Sequence, residues 1–88
     1  MTDPEFVEKT PLDKSRDIIT QLKEMQHYSK SNIEKLTAFW LQLDDELKLD
    51  AIAKRVEALL TVQNTFHEAL ESTIEDFESA CEGMDKNP

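Results

Sequence analysis

Between Asp50 and Glu82 the chain contains neither glycine nor proline, and its large apolar residues recur at Ile52, Val56, Leu59, Phe66, Leu70, Ile74, Phe77 and Cys81. Apart from a gap at Gln63, the steps are three or four. That spacing puts the residues on one stripe of an α-helix and excludes the alternation of a strand. At 1.5 Å per residue such a helix is roughly 50 Å long, well beyond the diameter of a compact domain of this size. A rod with one apolar stripe must find another surface to cover it.

The upstream sequence supplies a second rod. Thr10-Pro11-Leu12-Asp13 has the residues of a helix start: a hydroxyl that can accept from a free backbone N–H, a proline at the first position, and a carboxylate at the positive end of the dipole. A proline-directed phosphorylation site at Thr10 is the other reading of this pair, although capping already accounts for both residues. Ile18, Ile19, Leu22 and Met25 open an apolar stripe that weakens over Tyr28–Asn32 and resumes at Ile33, Leu36, Phe39, Trp40, Leu43 and Leu47. Ser31 with Glu34 matches a second capping box, so the chain can break there. If Ser29 is accepted into the stripe, the spacing also keeps phase straight through. Continuity is preferred, because no glycine or proline enforces a turn.

Phase is lost between Leu47 and Ile52, which places a turn at Lys48–Asp50 with Asp50 as the next N-cap. Glu82-Gly83 reads as the end of the last helix, with glycine in the left-handed position. From Phe66 the steps run four, four, three, an eleven-residue period that relaxes a left-handed supercoil. Gln63 falls in the seam, where a polar residue can set register.

The expected fold is therefore all-α: an elongated antiparallel helical hairpin, helices about 11–47 and 51–82, completed to a four-helix bundle or coiled coil by a second copy or a partner. The alternative is a three-helix bundle with a break near Ser31. Residues 1–10 read as a flexible arm, 11–83 as one helical domain and 84–88 as a tail.

Composition narrows the function classes. No run approaches the ~18 apolar residues of a membrane span, and no leader pattern is visible, so a cytosolic or nuclear address is expected. The lone Cys81 sits on the stripe and reads as a small buried hydrophobe, with an intermolecular disulfide or redox role as the alternative. Net charge is −9; residues 1–55 hold nine basic against eleven acidic residues, and residues 56–88 hold one against eight. A field of −7 over the second helix disfavours nucleic acid and anionic lipid and would attract a basic protein surface.

Signals for chemistry are weak. There is no glycine-rich phosphate loop. Glu24 and His27 have the Glu-x-x-His spacing used in two-metal helical bundles, but they flank Met25 rather than sharing the inward stripe. His67-Glu68-Ala69-Leu70-Glu71 ends in glutamate where a zinc-protease helix needs its second histidine. No catalytic residue, metal or cofactor is expected.

The expected function is a non-enzymatic protein–protein interaction module, an adaptor or small subunit of a larger assembly. The core or partner-binding stripe is assigned to Leu36, Trp40, Leu43, Leu59, Phe66, Leu70, Ile74 and Phe77. Trp40 is either the centre of the core or an interface anchor. The alternative function is an acidic regulator, such as an inhibitor, chaperone or antitoxin-like protein. It would mask a basic partner through residues 56–88, with Glu68, Glu71, Glu75, Asp76, Glu78 and Glu82 as its face.

Overall fold

The computed structural model describes residues 9–86. Two long helices, α1 (Pro11–Leu41) and α2 (Asp50–Lys86), pack antiparallel, joined through a π-helical segment over Gln42–Glu46 and a three-residue turn. The molecule measures 67 × 28 × 14 Å. The arm expected over 1–10 falls mostly outside the described residues, as do residues 87 and 88.

α1 begins as its sequence requires. The Thr10 hydroxyl accepts from the Asp13 backbone N–H at 3.1 Å, and the Asp13 carboxylate accepts from the Thr10 N–H at 3.4 Å. Two donors that the first turn leaves free are thus satisfied reciprocally. The helix runs without interruption through Ser31, so the three-segment alternative does not form.

Burial follows a strict heptad. In α1 the inward positions are Leu12, Ser15, Ile19, Leu22, Gln26, Ser29, Ile33, Leu36 and Trp40, continued by Leu43 in the π-helical segment; in α2 they are Ala53, Val56, Leu60, Gln63, His67, Leu70, Ile74, Phe77 and Cys81. Steps of three and four alternate throughout, the pattern of a left-handed two-helix seam. The eleven-residue period expected from Phe66 onward is therefore not what meets α1. Extending the steps back from Cys81, Phe77, Ile74 and Leu70 reaches His67, Leu60 and Ala53. Phe66, Leu59 and Ile52, each one residue earlier and two of them larger than the residue that turns inward, are left on a flank.

The seam is closed unevenly. Ile19, Leu70, Ile74 and Cys81 form the buried core, with Leu12, Leu22 and Phe77 against it, all in the half remote from the turn. In the turn half only Ala53 is fully buried, while Leu36, Trp40, Leu43, Val56 and Leu60 are half-buried.

The turn differs from expectation in two respects. Asp50 is the first helical residue of α2 rather than its cap, and the bond into that first turn runs from the Ala53 N–H to the Leu49 carbonyl at 2.8 Å. Lys48 adopts the left-handed conformation at φ 55°, a position usually filled by glycine. It lets the Leu49 N–H reach back to the Leu43 carbonyl at 2.9 Å and close the widened last turn. At the other end α2 runs past Gly83 to Lys86, and Gly83 has no positive φ. The glycine does not terminate the helix, and residues 84–86, expected in the tail, are helical.

Two substitutions test this account by chemical denaturation. Ile74→Ala should cost about 2–4 kcal/mol, as a large-to-small change at a closed core site. Lys48→Gly should raise stability by about 0.5–1 kcal/mol, relieving a left-handed backbone that an L side chain adopts at a penalty.

Candidate protein–protein interface

Three surfaces are arranged around the hairpin: a polar layer in the seam, a charged flank and an apolar flank. The polar layer lies midway along the helices. Ser29 is buried, and its hydroxyl accepts from the Gln63 side-chain amide at 2.8 Å and lies 3.1 Å from His67 Nδ1. Since Gln63 supplies the donor to that oxygen, the serine proton is free to point at an unprotonated Nδ1. No buried side-chain polar atom among the described residues lacks a partner. A shift of one heptad would set Ser29 against leucine and isoleucine and strand the other two, so the layer opposes slippage.

The charged flank pairs basic α1 with acidic α2. Lys23 meets Glu78 at 3.2 Å and Arg16 meets Asp85 at 3.8 Å, both exposed. Exposed pairs of this kind stabilise little but favour the antiparallel order. Glu68, Glu71, Glu75, Glu78 and Glu82 follow one another at three- and four-residue steps along this side of α2, forming a continuous acidic strip. Asp76 lies off that strip, nearer the opposite side. At the start of α1, a hydrogen bond to Asp17 and the charge of that carboxylate hold the Lys9 pKa above its ordinary value.

The apolar flank is the other side of the seam. Ile18, Met25, Asn32 and Phe39 recur every seven residues along α1, and Ile52, Leu59, Phe66 and Thr73 do so along α2. In an antiparallel pair these rows face the same side. An open cleft of about 360 Å³ between them is lined by Asn32, Lys35, Leu36, Phe39, Leu59, Val62 and Gln63. No carboxylate lines it. Between Glu57 and Glu68 α2 carries no acidic or basic residue apart from His67, and its exposed positions there include Ala58, Thr61, Val62, Asn64 and Thr65.

The assigned stripe is thus divided. Leu70 and Ile74 are buried and Phe77 is half-buried; Leu36, Trp40 and Leu43 are half-buried between the helices. Leu59 and Phe66 are 56 % and 48 % exposed and sit on the flank. Val62, the most exposed member at 67 %, is absent from the assigned stripe, though its place one turn after Leu59 could have pointed to it. His67 lies in the seam, half-buried. Glu24 and His27 are exposed, and the His27 ring meets Tyr28 edge-on, with centroids 5.9 Å apart. Among the described residues no three His, Cys, Asp or Glu side chains converge, and no helix is long and apolar enough to cross a membrane.

No family model, curated protein or solved structure matches the chain.

The polar layer makes its own prediction. Ser29→Ala should destabilise by about 1 kcal/mol, the net worth of a partly buried hydrogen bond. Replacing all three members, Ser29→Ala with Gln63→Leu and His67→Leu, should raise the unfolding midpoint above that of Ser29→Ala, because an apolar layer needs no partners. A triple variant less stable than the single one would show that the layer stabilises as well as specifies.

Proposed function

We propose that this chain is a non-enzymatic helical interaction module, an adaptor or small subunit of a larger assembly, working by pairing an amphipathic helix face with another protein. The observation that carries this reading is the turn half of the hairpin. There Phe39, Leu59 and Val62 stand half or more exposed on one flank, beside a seam that stays only half closed. Scattered single exposed hydrophobes are ordinary, whereas a contiguous row between two helices is the mark of an interaction surface. Trp40, half-buried beneath this flank, supports it from within rather than acting as a free anchor.

A second reading rests on the acidic strip Glu68–Glu82, which suits a basic protein surface. It makes binding a matter of exposed charge, so affinity should fall steeply as salt rises through the range where screening shortens to about 10 Å. Apolar pairing instead predicts an affinity nearly indifferent to salt.

A photo-crosslinking amino acid placed at Val62, compared with one at Glu75 on the charged side, separates the readings in extracts of cells that express the chain. The interaction-module reading expects a discrete adduct at position 62 and little at 75. Adducts only at 75 would favour the acidic reading, and none at either position would remove both.

A further inference from the structure

We infer that the occupant of the apolar flank is a second copy of this chain, seated turn half against turn half in antiparallel overlap about a two-fold axis near Val62. The inference rests on the interaction-module reading and names its partner. Three observations carry it.

The first is area. Phe39, Ile52, Leu59, Val62 and Phe66 are 52, 46, 56, 67 and 48 % exposed. With about 200 Å² for a free side chain of this size, they offer roughly 500 Å² of apolar surface. Two copies would bury roughly 1,000 Å² between them, the size at which a specific interface begins, and the Lys35 stem adds to it. A single added helix would leave part of so wide a face open, whereas a second hairpin covers both rows.

The second is charge. The cleft between the rows lacks a carboxylate, so nothing in it selects a basic partner; its one charged residue, Lys35, has a stem long enough to keep its ammonium in water at the rim when a second copy covers the cleft. Residues 32–66 hold four basic against six acidic side chains, while most of the acidity of α2 lies beyond Phe66. Antiparallel overlap of the turn halves sends the two acidic ends outward along a molecule 67 Å long, far beyond a Debye length. Parallel overlap would set them side by side.

The third is position. Val62 lies between Leu59 and Phe66 and, at 67 %, is the most exposed member of the patch. A residue at a two-fold axis meets itself.

The test uses the full chain. Light scattering on a sizing column should give twice the 10.2 kDa chain mass at micromolar concentration. Val62→Glu, at an exposed position that leaves the hairpin helical by circular dichroism, should weaken the dimer by about 100-fold or more, since the charge would be buried without a partner. Val62→Cys should form an intermolecular disulfide under mild oxidation, because self-contact brings the Cα atoms within about 7 Å; Glu75→Cys should not. A monomeric wild type overturns the inference, as does a dimer indifferent to Val62→Glu, and failure of Val62→Cys to crosslink overturns the axis. If the wild type is monomeric and the photo-crosslinker at Val62 captures a protein of another mass, the module reading stands and only the second copy is lost. If it captures nothing, both fall.

Discussion

The phase of the heptad seam is the constraint on which every other feature depends, and its least replaceable point is the contact of Ser29 with Gln63 and His67. The leucine and isoleucine layers of the seam would tolerate a slip of seven residues, since those residues recur at the same spacing. A serine hydroxyl with two specific partners would not, because slippage leaves three polar groups in apolar surroundings. Once that layer is set, antiparallel geometry decides which flank each remaining residue occupies.

Two flanks of opposite character result. On one, Arg16 and Lys23 meet Asp85 and Glu78, so part of the acidity of α2 is answered inside the molecule. On the other, seven-residue repeats of mostly apolar side chains from both helices lie side by side, broken by Asn32 and Thr73. Nearly all the capacity for charge-driven recognition is thus on one side and for apolar recognition on the other. A hairpin built this way can keep its acidic strip in water while the opposite face is covered.

The uneven closure of the seam follows from side-chain size. In the half away from the turn, isoleucine, leucine and cysteine mesh with Ile19 and Leu22 to give a closed core. Near the turn, the inward residue of α2 is the small Ala53, and the π-helical segment Gln42–Glu46 and left-handed Lys48 let the chain reverse without a glycine. Ala53 is buried by that approach, but its neighbours are not. The part of the molecule that is least complete by itself is also the part whose flank is most apolar.

Much of this was legible in the residues. The two helices, the Thr10–Asp13 cap, the reversal near Lys48 and the seam position of Gln63 follow from local rules, because spacing, capping and loss of phase act within a few residues. What the residues alone could not decide was which of two adjacent heptad rows in α2 would turn inward. Ile52 and Phe66 are larger and more apolar than Ala53 and His67, while Leu59 and Leu60 are equal, so size favoured the row that stays outside. The choice was made by Ser29 of α1, which offers a hydroxyl to Gln63 and His67, and by Leu70–Cys81, whose phase runs back through the smaller row. Both are tertiary facts, since they depend on which helix lies opposite and in what register. The sequence by itself determined two amphipathic rods and the place where they reverse. Only their packing decided which apolar residues became core and which stayed exposed on a flank.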